Sequence, residues 1–528
     1  MDRRTIIATA LIFLIYVVYF YFFAGTGTVP PEKREAGPPP QAQESEAIAP
    51  PKQVLKRPIK KFTPTDILGL DEQEVLVETD LLRVVLSNRG GRIKSWQLKK
   101  YIESNRSPVE LVSYATLRSW VQEEKESERL YSVEGKGFRL ESPGGKGTVV
   151  FTYIDPSGIQ TKKSITLQNG QYLAEIRLEI INIGTTERTL IPILLWDSRV
   201  QETQEKRAYP LKEPTTWADD RKVADKLEKI EGKVIHRGSI AWTALNNKYF
   251  ATALIPRGPE ANALVMKNKE GQLSVGLAGK SRRLRPGEKS IEEFVLYAGP
   301  KEIERLKRAG SNLDRLVDLG WFDFLARPAL YILKFLYKYT GNYGLAIIIL
   351  TVLIKILFHP LTHKGFKAMK EMQVLQPKIT ALREKYKNNP QKMNQEIMEL
   401  YKRHGVNPFG GCLPLVLQIP IFIALYNALS NAVELWRAPL IFWIQDLSAK
   451  DPYYVLPILM GISMLVQQWI TPSTGDPRQA QLMYLMPFIF TFMFLNFPSG
   501  LVLYWLVNNL IGIGQQHWIN KRMLPKRG

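Results

Sequence analysis

Cysteine and histidine are scarce: Cys412 stands alone, and five histidines occur in 528 residues. A single thiol excludes an internal disulfide framework and any cysteine-cluster metal site. Of the histidines only His236 lies between residues 61 and 320, so that stretch offers no histidine-based metal site or catalytic triad. Phosphate loops are missing as well. Gly144-Gly-Lys-Gly-Thr148 and Gly287-Glu-Lys-Ser290 lack the Gly-x4-Gly-Lys-Ser/Thr spacing. Neither a cofactor nor enzymatic chemistry is expected. Acidic residues are outnumbered, with 50 Asp and Glu against 71 Lys and Arg, a net charge of +21. That excess invites a nucleic-acid partner. The basic residues, however, are dispersed or gathered beside apolar segments, where they set membrane orientation. No specific nucleic-acid ligand is expected.

The length exceeds one ordinary domain. A mean hydropathy of −0.14 averages two populations. Residues 1–23 and those after about 341 are strongly apolar, and the middle is polar. The run 6–23, behind Arg3 and Arg4, is long enough to cross ~30 Å of hydrocarbon. A cleaved signal peptide is the rival reading, but the run is long for one and no Ala-x-Ala-like site follows before Val29. A retained anchor over 1–23 is therefore predicted. Residues 24–60 are rich in Pro, Gln and Glu around Pro38-Pro39-Pro40, the composition of a disordered linker.

Further apolar runs at 343–361, 413–432, 453–470, 482–497 and 499–519 predict more spans. The loop between the second and third carries Lys364, Lys367, Lys370, Lys378, Arg383, Lys385 and Lys387, and the C-terminal tail carries Lys521, Arg522, Lys526 and Arg527. Lysine and arginine excess marks the cytoplasmic side, so both termini and this loop are predicted inside. Only the fourth-to-fifth loop is undecided, since Asp476 offsets Arg478. The same count sends residues from about 24 to 319 outside. The predicted fold class is a polytopic α-helical membrane protein of six transmembrane helices, with an inserted all-β periplasmic domain at 61–320 and a membrane core at 321–528.

In the exported region, Glu74-Val-Leu-Val-Glu78, Leu82-Arg-Val-Val-Leu86, Thr148-Val-Val-Phe-Thr-Tyr153 and Leu173-Ala-Glu-Ile-Arg-Leu-Glu-Ile180 read as strands. Asn88-Arg-Gly-Gly91 and Asp155-Pro-Ser-Gly158 read as turns, because glycine supplies positive φ. Many short strands predict an antiparallel sandwich. Residues 300–319 predict one helix with Leu306, Leu313 and Leu316 on one side. A peptide or sugar groove remains open for this domain, while catalysis does not.

The second span holds the most informative pattern. Thr351, Lys355 and His359 are four apart and share a helix face, opposite Ile349, Val352, Leu353, Ile356 and Leu357. By rise alone, Lys355 lies ~17 Å below Gly344, past mid-bilayer. A charge there costs ~2.5–3.5 kcal/mol on insertion scales, a cost usually retained for function. The bland reading is that Lys355 snorkels to the headgroups. Gln418 adds a polar position in the third span, Ser463 and Gln467 in the fourth, and Tyr504, Asn508 and Gln515 in the sixth. Singly these read as helix-packing hydrogen bonds. Together with Lys355 they predict a hydrated cavity open to the cytoplasm.

The basic loop predicts a helical hairpin at 364–405. Its first arm runs over 366–386, and Asn389 caps a second arm that opens on Pro390. Met369, Met372, Met393 and Met398 give an adaptable surface for capturing varied clients. Equally, the two faces could simply pack on each other.

These segments carry a family resemblance. Gly341-Asn-Tyr-Gly344, His359-Pro-Leu-Thr362, Leu375-Gln-Pro-Lys378, Val406-Asn-Pro-Phe-Gly-Gly-Cys-Leu-Pro414 and Gln418-Ile-Pro-Ile-Phe422 open the series. Asp446-Leu-Ser448, Asp451-Pro-Tyr-Tyr454 and Phe497-Pro-Ser-Gly-Leu501 complete it in order. From about residue 324 onward the chain resembles the YidC membrane-protein insertase family. The anchor and exported domain are similar to its Gram-negative form, whose domain is a β-supersandwich. The resemblance implies an insertase and chaperone of the bacterial inner membrane, acting alone or beside the Sec translocon on nascent membrane proteins, in contact with the lipid bilayer. The ribosome is a further candidate partner. It also implies a cytoplasm-open groove whose positive residue, usually arginine, is Lys355 here, with Thr351, Tyr504 and Trp505 at the groove's threonine and aromatic positions. Lysine keeps the charge but loses the bidentate fork. A solute or ion transporter using Lys355 is the alternative, although no convincing inverted repeat supports it.

Overall fold

The computed structural model describes residues 71–522, apart from 104–105, 113–115, 121–128, 200–210, 212, 259–260, 269–270, 407–412 and 471–476. The predicted anchor at 1–23 and linker at 24–60 lie outside the described residues.

Alternating side chains build the first half. In the strand Ile159–Gln168, inward positions Ile159, Thr161, Lys163, Ile165 and Leu167 alternate with half-buried ones. Leu173–Asn182 does the same with Ala174, Ile176, Leu178, Ile180 and Asn182. This period of two buries one face of each strand. Both belong to a nine-stranded sheet running from an edge at Arg221–Ala224 through the central Lys289–Pro300 to Ser132–Glu134. Two five-stranded sheets and a two-stranded ribbon accompany it. Pairing is antiparallel except that Phe138–Arg139 runs parallel to Glu74–Glu78. Trp96, Trp196, Trp242, Tyr131 and Tyr249 are the largest core side chains. The two turn sequences form as expected, with positive φ at Gly90, Gly91 and Gly158.

One inward position is charged. Lys163 is fully buried, and its ammonium donates to the carbonyls of Gly91 at 2.8 Å, Leu117 at 2.7 Å and Gly90 at 3.4 Å. Burial pushes its pKa down to about 7, and the nearby charge of Arg92 adds to the shift.

The helix expected over 300–319 is broken. Helix α1, Ile303–Ala309, gives way to a single 3-10 turn, Leu313–Leu316. Gly310, Ser311 and Asn312 all take positive φ between them, which reverses the chain. The reversal lets Leu306, Leu313 and Leu316 all reach the core.

Eight further helices follow among the described residues: α2 Asp323–Thr340, α3 Tyr343–Val374, α4 Gln376–Lys385, α5 Pro390–Arg403, α6 Leu413–Asn431, α7 Val455–Ile470, α8 Pro477–Phe494 and α9 Ser499–Arg522. Gly341, at φ 64°, ends α2 in the left-handed conformation. Asn342 then caps α3, accepting from the Gly344 N–H at 2.8 Å and the Leu345 N–H at 3.2 Å. Among the described residues α3 alone, with 32 residues and an apolar window of mean hydropathy 2.2, is long and apolar enough to cross a membrane. Residues 455–470 and 484–494 form shorter apolar helices.

The hairpin also departs from expectation. Its first arm is not one helix over 366–386, because α3 runs unbroken out of its apolar stretch to Val374 before α4 begins. Pro377 sets the break. It has no N–H to continue the α3 ladder and is well suited to the first turn of a new helix. The second arm forms as expected: Asn389 Oδ1 accepts from the Lys392 N–H at 3.0 Å, with Pro390 at the start.

Candidate functional site

Polar side chains of the apolar helices gather along the seam where α3, α7 and α9 meet. α3 turns Ile349, Val352, Leu353, Ile356 and Leu357 outward, where all are exposed. Its other face carries Thr351, Lys355 and His359. Thr351 is fully buried, and its hydroxyl donates to the Ile347 carbonyl at 2.7 Å, so the group serves its own helix. Lys355 and His359 are half-buried. No aspartate or glutamate occurs in 343–361, 413–431, 455–470, 477–494 or 499–522, so these segments bring Lys355 no carboxylate partner.

α9 supplies the facing surface. A Cβ built on buried Gly512 would lie 3.7 Å from Lys355 Nζ and 3.3 Å from Gln467 Nε2, so α3, α7 and α9 converge at that point. One turn inward, the Gln515 side-chain amide meets His359 Nδ1 at 3.2 Å. On the α7 side, Asn509 donates to Ser463 Oγ at 3.1 Å, and Gln516 donates to the Ile470 carbonyl at 3.3 Å. Asn508 is buried beside them. Trp505 Nε1, Gln515 Oε1 and His363 Nδ1 are buried without a hydrogen-bond partner among the described residues. Orphaned polar atoms at this depth mark places for water or for a polar group of another chain.

The structure thus brings Lys355, His359 and Gln467 to one seam and places other expected residues elsewhere. Tyr504 is buried in the helix bundle. Trp505 sits in an aromatic cluster, edge-on to Phe422 at 4.7 Å and next to Phe494 at 5.3 Å and Phe490 at 5.8 Å. Gln418 is half-buried on α6, and no described hydrogen bond joins it to Lys355. Gly512, Asn509 and Gln516 were not singled out from sequence. For Asn509 and Gln516 the signal was the doublets Asn508-Asn509 and Gln515-Gln516, seven residues apart. Adjacent helical residues point about 100° apart, so one member of each pair can address α3 and the other α7.

Of the hairpin methionines, Met372 is buried with Leu375, Ile379 and Val406, while Met369 packs against that cluster with Ile397, Leu400 and Tyr401. These two therefore serve the hairpin's own core. Met393 and Met398 are half-buried outside that cluster.

A family model described as 60Kd inner membrane protein matches residues 335–526, and one described as YidC periplasmic domain matches 74–332. The membrane protein insertase YidC of Citrifermentans bemidjiense is 43% identical over 460 residues, covering 85% of this chain and 86% of its own. Its counterpart in Geobacter metallireducens is 40% identical over 536 residues, covering 99% of this chain and 98% of its own. A solved active YidC insertase with its first transmembrane domain resolved covers 84% of this chain and 92% of its own, at 20% identity and a TM-score of 0.37.

Proposed function

This chain belongs to the YidC family of membrane protein insertases, and on that premise we propose that it inserts and helps fold nascent proteins of the bacterial inner membrane through a groove centred on Lys355. The observation that carries the reading is the position of that ammonium. It lies at a seam with Gln467, beside Gly512, in apolar helices that contain no acidic residue. A lone cation costs free energy in an apolar bundle, and an anionic or strongly polar group arriving from a client offsets that cost.

In this reading six spans cross the inner membrane, with both termini inside and the β-domain in the periplasm. The basic hairpin meets the client first. Its exposed lysines and the half-buried Met393 and Met398 offer an adaptable cytoplasmic contact. A short hydrophilic segment then enters the seam from the cytoplasm, where Lys355, His359, Gln467 and Asn508 replace part of its hydration. Thr351 holds its helix turn beside them, while Tyr504 and Trp505 wall the bundle and Gln418 adds a polar position on α6. The client's apolar helix moves into lipid, driven by its own burial in hydrocarbon. No chemical bond changes, and the chain is not an enzyme. The Sec translocon and the ribosome are proposed as partners that deliver longer clients.

The test is reconstitution of the purified chain, as the sole protein, in liposomes. A short client with an acidic translocated segment should become protease-protected without nucleotide. Protection no greater than in protein-free vesicles would overturn the proposal.

A further inference from the structure

The segment joining α6 to α7 is held at its base and apolar at its tip. Asp451 is fully buried and accepts from the Trp443 indole N–H at 3.1 Å and from the Leu456 N–H at 2.7 Å. The Leu447 N–H donates to the Ala438 carbonyl at 2.9 Å, and the side chains of Ile444 and Leu447 belong to the core. Beyond this base the chain makes a tight turn, closed by the Ile444 N–H on the Ile441 carbonyl at 3.2 Å. Phe442 is the second residue of that turn, at φ 53°, a left-handed conformation that favours glycine. Its ring stacks on that of Trp443 at 6.1 Å, yet the residue is 78% exposed, and Ile441 beside it is 58% exposed. Neither packing within the chain nor backbone conformation accounts for a phenylalanine here. No charged residue occurs over 438–445.

The tip is fixed to one end of the helical core. Asn342, the cap of α3, donates from its side-chain amide to the Leu440 carbonyl at 2.8 Å, and the missing side chain of Gly344 admits Leu440 against the first turn of that helix. Ile441 and Phe442 thus stand beside the start of α3, the helix long and apolar enough to cross a membrane. Tyr339, just before that start, and Tyr453 and Tyr454, at the far end of the same segment, are also exposed. Aromatic side chains concentrate where spanning helices meet the headgroups. We infer that the tip 440–443 docks into the periplasmic leaflet of the bilayer, with Phe442 entering the acyl region next to the headgroups. The partner is a lipid surface. The inference rests on the six-span reading, which puts this end of α3 outside, and goes beyond it by assigning a surface that the insertion seam does not use. Moving an exposed phenylalanine and isoleucine out of water offsets the unfavourable backbone at Phe442. The charge-free run lets the turn approach lipid without burying an ion. A turn standing in water would instead gain from Gly or Asn at this position.

The experiment uses the full chain in liposomes, with a bimane probe on Ile441→Cys in a Cys412→Ser background, so that Phe442 stays in place. The same probe on Lys136→Cys, exposed in the β-domain, is the water-facing reference. The probe at 441 should be quenched by lipids brominated near the headgroups and shielded from aqueous iodide relative to the probe at 136. Phe442→Gly, which suits the positive φ, should lower the ratio of lipid-facing to water-facing tip about tenfold, the scale of burying one phenylalanine. Phe442→Leu should keep most of it. The probe is the same in every variant, so its own affinity for lipid cancels. Iodide access at 441 equal to that at 136 would overturn the inference. So would shielding without quenching by brominated lipid, since a second copy of the chain would then cover the tip. Lipid contact left unchanged by Phe442→Gly would overturn the part assigned to Phe442. An impermeant thiol reagent on spheroplasts separates these outcomes from the six-span reading, because Lys450→Cys, exposed on the same segment, should be labelled. No label would remove the topology and the docking together. A labelled Lys450→Cys with an iodide-accessible tip would remove the docking alone.

Discussion

The indole N–H of Trp436, just beyond α6, donates to the carbonyl of Ile102 in the β-domain at 3.2 Å, across 334 residues of sequence. The same ring stands edge-on to Tyr249 at 5.0 Å and Phe250 at 5.2 Å. Nearby, Lys334 on α2 meets Glu434 at 2.6 Å with both side chains largely buried, and Asn427 on α6 donates to the Leu319 carbonyl at 3.0 Å. The β-domain thus meets the helical core through this aromatic plug and the Asn427–Leu319 hydrogen bond, with the Lys334–Glu434 pair bracing the helical side. Two aromatic pairs and a hydrogen bond are together worth ~2–4 kcal/mol. Trp436→Ala should therefore loosen the attachment. Limited proteolysis of the membrane-bound protein should cut faster between residues 310 and 322, with client insertion little changed. An unchanged cleavage rate would mean that the remaining contacts suffice alone.

A second consequence concerns the β-domain itself. Its described residues hold no cluster of His, Cys, Asp and Glu able to bind a metal, and the polar seam lies wholly in α3, α7 and α9. Deleting residues 61–299 while keeping 300–319 should leave most insertion activity, measured per molecule in the membrane. Trp436→Ser in the same variant would keep the uncovered indole from promoting aggregation. A stable truncated protein that no longer inserts clients would move the activity into the periplasmic half.

Much of this architecture was legible because it is local. The strands at Glu74–Glu78 and Leu173–Asn182 follow from side-chain alternation, and the Asn389 cap from one residue and the proline behind it. What depends on distant partners was not. Nothing near Trp436 announces Ile102, and nothing near Lys163 announces the carbonyls of Gly90, Gly91 and Leu117. The break at 310–312 was hidden because leucine spacing describes a face and not the turn that interrupts it. In the seam, Lys355 and His359 stood out by charge and period. Gly512 did not, because a lone glycine between two isoleucines gives no sign of which helices meet there.

Lys163 makes stability depend on pH. Its folded pKa, pushed down to about 7 by burial, lies below the unfolded value. Between these values the unfolded chain binds the extra proton, so stability should rise with pH above about 7, by up to ~1.4 kcal/mol per pH unit. Below about pH 7 both states are protonated and the full penalty of burial is present. Lys163→Met loses the titration and leaves three carbonyls without their donor, costing ~1–3 kcal/mol. The stability gap between parent and Lys163→Met, measured by unfolding of the β-domain, should therefore widen from pH 7 to pH 9. A constant gap would mean that the carbonyl cage keeps the ammonium charged throughout.

The proposed topology is checked by reporter fusions. Those after Gly37 and near Lys450 should read outside, and those near Asn388 and after Gly528 inside. The loop at 437–451 is close to neutral, whereas 364–403 is strongly basic, which is the asymmetry that sets orientation. An inside signal near Lys450 would break the six-span arrangement, and a groove open to the cytoplasm with it.

Lys355 separates the functional reading from the bland one most sharply. If it supplies positive potential at the seam, charge should matter more than shape. Lys355→Arg should then keep activity, Lys355→Ala should weaken it, and Lys355→Glu should be worst. The losses should concentrate on clients with acidic translocated segments, because attraction between unlike charges grows as the local dielectric falls. If the side chain merely snorkels to the headgroups, alanine would remove an insertion cost of ~2.5–3.5 kcal/mol and leave activity untouched. The measurement is insertion per molecule at equal membrane abundance, compared between acidic and neutral clients. Alanine and glutamate variants that match on both clients would remove the electrostatic role. The seam would then act only by holding water and polar side chains along a shortened path through lipid.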